Sequence, residues 1–100
     1  MTKPFYAEYA NHAFRYYARH IDCKPTPEQA SNYVMWTACD KVSKRFPPYE
    51  NAIIMDIYRS KLVINEAVRR LSGELRMPEN KIWQLINKYS RAFAKERGLI

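Results

Sequence analysis

The sequence predicts an all-α fold, a compact five-helix single domain over residues 1–100. Apolar residues recur at spacings of three and four along most of the chain, which is the period of an amphipathic helix, and no strand pattern stands out. Hydrophobic residues make up 47% and aromatic residues 14% of the chain, and there are only two glycines. The chain therefore has enough apolar material for its own core and little that would form flexible linkers.

The first predicted helix lies in the segment TKPFYAEYANHAFRYYARHI. Polar residues such as Glu8, His12 and Arg19 recur at helical spacing along one side. The opposite side is largely aromatic, and leaving so much apolar surface in water is costly. We therefore expect the aromatic side to complete the core, form a dimer seam or contact a partner. The residues of this aromatic side are Phe5, Tyr6, Tyr9, Ala10, Ala13, Phe14, Tyr16 and Tyr17.

The second predicted helix starts near residue 27 and stops before Pro47 and Pro48. Thr26 suits the N-cap position, Pro27 suits the first turn, and Gln29 can complete a capping box. One apolar line runs along this helix, with Val34 and Ala38 beside it. The residues of the line are Met35, Cys39, Val42 and Phe46.

Three more helices are predicted after the double proline. The segment YENAIIMDIYRS is apolar on several sides, which suits a central helix packed by others. The segment VINEAVRRLSGEL aligns Ile64, Val68, Leu71 and Leu75 on one face. The last helix runs from Pro78 or Glu79 to Arg97 and ends at Gly98. Its predicted buried residues are Ile82, Leu85, Ile86, Tyr89 and Phe93.

The last two helices meet the requirements of a C-terminal helix-turn-helix. That motif needs apolar residues on both helices, a small residue where the backbones meet, and a tight turn. Arg76 departs from the pattern, because it stands where glycine is usual and a positive φ angle is unfavourable for arginine. The residues that meet the requirements are Leu71, Leu75, Ser72, Met77, Ile82 and Leu85.

Residues 46–98 resemble the fourth region of sigma factors and the small sigma-like regulators of phages and mobile elements. The resemblance rests on FPPYENAIIMDIY followed by NEAVRRLSGELRMPENKIWQLINKYSRAFAKERG. That family has a proline-marked entry helix, a helix-turn-helix, a long basic recognition helix and a final Lys/Arg-rich segment. The resemblance divides the domain into an aromatic two-helix unit, residues 1–46, and a sigma-like unit, residues 47–100. The sequence departs from a whole sigma factor, because it shows no segment that would bind a promoter's melted region or polymerase in the usual manner, so an accessory or repressor role is expected rather than transcription initiation.

The resemblance also implies that the last helix reads promoter or operator DNA in the major groove. Gln84 or Asn80 could pair with adenine, Lys81 could reach guanine, and Glu79 could accept from cytosine. A solvated helix face is the alternative interpretation of so many charges. The residues implied at bases or nearby phosphates are Glu79, Asn80, Lys81, Gln84 and Lys88, with Arg91 and Lys95 on the DNA backbone.

The formal net charge of +7 arises from 17 basic and 10 acidic residues and is concentrated in the second half of the chain. Such a balance favours a polyanionic partner, although an acidic protein surface would be attracted by the same field. The sequence therefore predicts a sequence-specific DNA-binding transcriptional regulator. The alternative is a small phage or mobile-element inhibitor that binds a nucleic-acid-handling enzyme such as a CRISPR nuclease or RNA polymerase.

Two tryptophans are candidates for partner binding. Trp36 falls on the polar side of the second helix, and Trp83 lies beside the apolar pair of the last helix. Either ring could be covered by a neighbouring segment, because tryptophan is usually mostly buried. If both were exposed, they would make a plausible hot-spot pair for a protein partner. A homodimer or a carrier protein is a further candidate partner, since a single small helix-turn-helix usually needs one or the other for useful specificity.

Catalytic, metal, cofactor and membrane functions are not expected. His20, Asp22 and Cys23 form a short cluster that lacks the second ligand pair of a zinc site. The chain shows no glycine-rich phosphate loop and no recognisable nucleophile arrangement. Cys23 and Cys39 do not form a CxxC pair, and no signal-peptide core or long apolar run occurs. A cytoplasmic location with reduced thiols is the resulting expectation.

Overall fold

The computed structural model describes residues 3–100. Over that range the chain forms five α-helices and no strand, which confirms the all-α, single-globule prediction. Helix α3 begins at Pro48, directly after Pro47, and α5 begins directly after Pro78 and ends two residues before Gly98, as the sequence pattern indicates. The helices are α1 (Ala7–Arg19), α2 (Ala30–Ser43), α3 (Pro48–Arg59), α4 (Ile64–Leu75) and α5 (Glu79–Glu96).

One aromatic core joins the two halves of the chain. The ring of Phe14, in α1, is fully buried. Its centroid lies 5.8 Å from that of Tyr58, 5.9 Å from that of Tyr89 and 5.8 Å from that of Phe93. The aromatic side of α1 therefore completes the core with α3 and α5, and most of it is not free to form a dimer seam. The aliphatic residues that α2 and α4 add to this core include Val42, Ala67, Val68 and Leu71.

The buried phenols keep their hydroxyl groups hydrogen-bonded across helices. Three tyrosines are buried, and burial raises the pKa of each phenol above its ordinary value, so each hydroxyl is a neutral donor. An unpaired buried hydroxyl costs about 1–3 kcal/mol, so these bonds offset the cost of burying a polar ring. Tyr17 donates to Asp40 Oδ1 at 2.9 Å, Tyr58 to Asn11 Oδ1 at 2.5 Å, and Tyr89 to Asn51 Oδ1.

Helix α2 begins three residues later than the sequence predicts. The Gln29 N–H donates to the Thr26 carbonyl oxygen at 2.9 Å, and the Thr26 N–H donates to Gln29 Oε1 at 3.2 Å. The residues predicted to form a capping box therefore close a separate turn ahead of the helix. Gln29 itself is the N-cap, and its side chain makes no capping hydrogen bond to α2.

Three residues predicted to lie on apolar faces are exposed. Phe5 is 76% exposed because it precedes α1 and does not share the register of the aromatic side. Val34 is 38% exposed because α2 turns Trp36 and Ser43 toward the core instead. Leu75, the last residue of α4, is 45% exposed. Phe5 and Leu75 thus lie beyond or at a helix end, whereas Val34 lies within α2, whose buried face is rotated from the predicted one.

A three-residue connection, residues 76–78, joins α4 to α5. Arg76 has φ 53° and ψ 41°, which is the left-handed conformation that favours glycine. Two hydrogen bonds between Ser72 and Met77 close the turn. The Ser72 carbonyl oxygen accepts the Met77 N–H at 3.1 Å, and the Ser72 hydroxyl donates to the Met77 carbonyl oxygen at 2.6 Å. The connection therefore requires the positive φ angle that the sequence makes unfavourable.

We expect Arg76→Gly to raise the free energy of unfolding by about 1 kcal/mol. The left-handed conformation costs a non-glycine residue about 1–2 kcal/mol, and glycine avoids this cost. Part of the gain is lost because glycine increases the conformational entropy of the unfolded chain. Urea denaturation followed by tryptophan fluorescence measures the change. Arg76→Ala is the matched control, because it removes the same side chain but keeps Cβ. A glycine variant no more stable than the alanine variant would show that the turn is not strained.

Candidate nucleic-acid interface

All seven residues predicted to contact DNA are exposed, and five of them share one face of α5. At about 100° per residue, these five fall within a sector of about 80°. The opposite face of α5 carries Ile82, Ile86, Tyr89 and Phe93, and burial of these side chains turns the five outward. We call this face the α5 stripe. Its residues are Lys81, Gln84, Lys88, Arg91 and Lys95.

Asn80 and Glu79 lie off the α5 stripe. Helical periodicity puts Asn80 beside the stripe, whereas Glu79 is rotated about 120° from the nearest stripe residue. The Glu79 carboxylate is in the first turn of α5, where it is favoured by the positive end of the helix dipole. The structure thus groups Asn80 with the predicted site and separates Glu79 from it.

Lys88 is already engaged inside the molecule. Its Nζ lies 2.6 Å from Glu50 Oε1 and 4.7 Å from the centroid of the Phe46 ring. The Glu50 side chain is only 13% exposed, so this ion pair is partly shielded from solvent. To contact a DNA phosphate, the Lys88 ammonium would have to share or leave Glu50. The Lys88 ammonium is therefore less available to an external anion than its position on the stripe suggests.

Lys81, Arg91 and Lys95 are the free charges of the α5 stripe. None of them forms an ion pair with any residue in the part of the chain that the structure describes. Their charges are spread over four turns of α5 and face solvent. Glu50 lines the same shallow depression as Lys81 but is paired with Lys88. Because no ion pair neutralises the three cations, they supply most of the positive potential along this face.

The end of α2 places further basic residues beside the stripe. Arg45 Nη2 lies 2.8 Å from Glu96 Oε2, and Lys41 Nζ lies 3.7 Å from Glu96 Oε1. A shallow groove lies between Arg45 and the C-terminal half of the stripe, with Phe46 as its apolar wall. Sequence reasoning missed Arg45, because only the packing of α2 against α5 brings these two segments together.

Trp36 is not available to a partner. Its ring is 7% exposed, its Nε1 donates to the His20 carbonyl oxygen at 2.9 Å, and its centroid lies 5.1 Å from that of Tyr17. Lys24 Nζ lies 5.5 Å from the same ring. The interpretation in which a neighbouring segment covers Trp36 is therefore correct, and the expectation of a surface anchor at this residue is wrong.

Trp83 is half-buried between α5 and the N-terminal segment. It lines a small cleft together with Tyr6, Ala7, Ile64 and Ile86. The N-terminal segment therefore lies alongside this ring, which gives Trp83 a packing role. With Trp36 inside the core, the two rings do not form the exposed pair that was considered as a hot spot.

Neither a metal site nor a membrane span is found among residues 3–100. No three His, Cys, Asp or Glu side chains in that range are grouped as metal ligands, and no helix there is both long and apolar enough to cross a bilayer. Cys23 is exposed and Cys39 is buried, and both are free thiols. Burial raises the pKa of Cys39, so this thiol stays protonated and unreactive at neutral pH.

Comparison of the chain with protein-family models, with curated protein sequences and with solved structures gave no match in any of the three. The resemblance of residues 46–98 to the fourth region of sigma factors stays a prediction. The positions and charges of the α5 stripe are therefore the basis for a functional proposal.

Proposed function

We propose that the protein is a sequence-specific DNA-binding transcriptional regulator that places α5 in the major groove. The observation that carries this proposal is the α5 stripe, in which three unpaired cations and one amide share a single exposed face. The major groove of B-DNA is about 12 Å wide and admits an α-helix. A tight connection precedes the stripe, as in a helix-turn-helix, where the first helix crosses the DNA backbone and the second reads bases.

Different turns of α5 have different proposed roles. Asn80 and Gln84, near the N-terminus, carry the amides that pair with adenine, and Lys81 can reach the acceptors of guanine. Arg91 and Lys95 lie further along and contact phosphates. At about 1.5 Å per residue, Lys95 is roughly 20 Å from Lys81. The basic side chains of α5 therefore extend beyond the roughly 12 Å width of the major groove and can reach phosphates at its edge. Glu79 takes no part in this assignment.

Selection from a random duplex pool at 50 and 200 mM salt tests the proposal. We expect an enriched motif and an affinity that falls with salt, because phosphate contacts release counterions. Gln84→Ala should lose preference at one position and weaken binding to the selected site by about 1–3 kcal/mol. Arg91→Gln is the control, because the loss of a phosphate contact should weaken binding to all sequences alike.

The other outcomes lead to different functions. Salt-sensitive binding without enrichment would leave only an electrostatic attraction to DNA. If the protein bound no duplex at either salt concentration, the α5 stripe would be assigned to a protein target instead, as in the alternative of an enzyme inhibitor. The burial of Trp36 removes one anchor that this alternative had available, so we favour the regulator.

Glu50 is expected to restrain DNA affinity through its ion pair with Lys88. Glu50→Gln should strengthen binding to duplex DNA about fivefold at 0.1 M salt, because a freed lysine adds close to one phosphate contact. The double variant Glu50→Gln with Lys88→Met is the control and should lose this gain. Fluorescence anisotropy with a labelled duplex measures both. An unchanged affinity for the single variant would exclude Lys88 from the interface.

A further inference from the structure

Helix α1 carries a second cationic surface, which is distinct from the α5 stripe. Its five members line a shallow depression of about 170 Å³. His12, Arg15 and Arg19 share the outer side of α1. Tyr16 and the C-cap residue His20 lie at the edge of that side, where the Tyr16 ring also packs against the core. We call this surface the α1 platform. Its residues are His12, Arg15, Tyr16, Arg19 and His20.

Two aromatic rings of the platform are already stacked. The centroids of Tyr16 and His20 lie 4.2 Å apart, with 22° between the ring planes. The His20 Nδ1–H donates to the Tyr16 carbonyl oxygen at 2.9 Å, which holds the imidazole in place. Both residues remain partly exposed. The platform therefore offers an ordered aromatic surface that needs little rearrangement before a ligand binds.

The stacked rings are surrounded by positive charge. Arg15, Arg19 and His12 form no ion pair with any residue between 3 and 100. The nearest carboxylate along α1 is that of Glu8, which lines an adjoining depression together with His12 and Arg15 but forms no ion pair with either. In contrast to Lys88 on the α5 stripe, the two arginines of the platform have no carboxylate to leave before they can bind an anion.

We propose that the α1 platform binds single-stranded nucleic acid, with one base stacked on the Tyr16–His20 pair and the flanking phosphates held by Arg15 and Arg19. Aromatic rings beside cations are the chemistry of single-strand sites, since every unpaired base has a free π-face. A duplex hides those faces and would need only the cations.

This proposal does not depend on the function proposed for α5. If both hold, one molecule can contact a duplex through the α5 stripe and an unpaired strand through the α1 platform. That combination suits DNA with a melted segment, or a duplex next to a transcript. The two surfaces can be tested separately, because they share no residue.

Fluorescence anisotropy of the full chain with labelled 12-mers of dT and of U tests the platform at 0.1 M salt. We expect His20→Ala to weaken binding about tenfold through loss of stacking. Arg19→Gln should weaken binding about fivefold and reduce the salt slope by about 0.7, the value for one phosphate of a single strand. Lys61→Gln, in the exposed connection between α3 and α4 and outside both surfaces, is the matched control and should change binding less than twofold. Lys95→Gln, on the α5 stripe, is measured beside it to tell the two surfaces apart.

His20→Phe is the rescue variant, because it keeps a ring at the platform and should restore most of the binding that His20→Ala loses. Melting temperatures show whether each variant is folded. Comparison of the dT and U oligomers tells whether the ligand is DNA or RNA. If Arg19→Gln weakened binding but His20→Ala did not, no base would stack on the Tyr16–His20 pair. If Lys95→Gln weakened binding more than the platform variants did, the single strand would bind the α5 stripe instead. No binding of either oligomer would overturn the platform, while duplex binding measured in parallel would still decide the function of α5.

Discussion

A variant in which Lys81, Arg91 and Lys95 are all replaced by glutamine is expected to bind duplex DNA about 600-fold more weakly at 0.1 M salt. Each phosphate contact contributes about 0.9 to the salt slope, which is about eightfold in affinity at that concentration, so the contacts of Arg91 and Lys95 together contribute about 60-fold. Loss of the guanine contact of Lys81 adds about tenfold. The salt slope itself should fall by about 1.8. The large effect follows because these are the stripe cations that no carboxylate neutralises.

The matched control removes three charges outside the stripe. Lys3, Lys24 and Lys61 are exposed residues of the N-terminal segment and of two loops. Their replacement by glutamine gives the same net charge as the stripe variant. We expect the control to weaken binding less than tenfold, through the general field alone. Equal losses in both variants would mean that net charge, and not the α5 face, is responsible for DNA binding.

Phe14→Ala is expected to lower the free energy of unfolding by about 4 kcal/mol, within the range of about 3–5 kcal/mol for deleting a buried aromatic ring. Phe14 is fully buried, and its ring packs against Tyr58 of α3 and Tyr89 and Phe93 of α5. A domain of this size has roughly 5–15 kcal/mol in total, so the variant should be partly unfolded at physiological temperature. Guanidinium denaturation followed by tryptophan fluorescence and circular dichroism measures the loss.

Phe5→Ala provides the control for the same substitution in the same region of the chain. The Phe5 ring is 76% exposed, so its removal should change stability by less than about 0.5 kcal/mol. A loss below 1 kcal/mol for Phe14→Ala would contradict a core shared by residues 1–46 and 47–100. The result also bears on function, because α5 is held in place partly by the ring of Phe14.

Local pattern was sufficient to predict most of the helical architecture. The period of the apolar residues, the double proline before α3, and the Pro78 and Gly98 boundaries of α5 act over a few residues, and each is found where expected. The start of α2 could not be predicted in the same way. Gln29 and Thr26 can bond to each other either as a helix cap or as a separate turn, and the sequence does not distinguish the two.

The environments of particular side chains depended on packing between helices. Trp36 sits among polar neighbours in the sequence, but its indole reaches the carbonyl oxygen of His20, sixteen positions earlier. Lys88 and Glu50 are 38 positions apart and form an ion pair. Contacts over such separations depend on how α1, α2, α3 and α5 are arranged, which the periodicity of one helix does not contain.

By itself, the sequence determined that the chain is helical, where most helices end, and that one face of α5 carries Lys81, Gln84, Lys88, Arg91 and Lys95. Those properties follow from the backbone period and from residues a few positions apart. Only the tertiary structure decided which of these charges are free, that Trp36 is internal and that Arg76 is left-handed. Burial and pairing depend on the segment that lies opposite, and that segment is distant in the sequence.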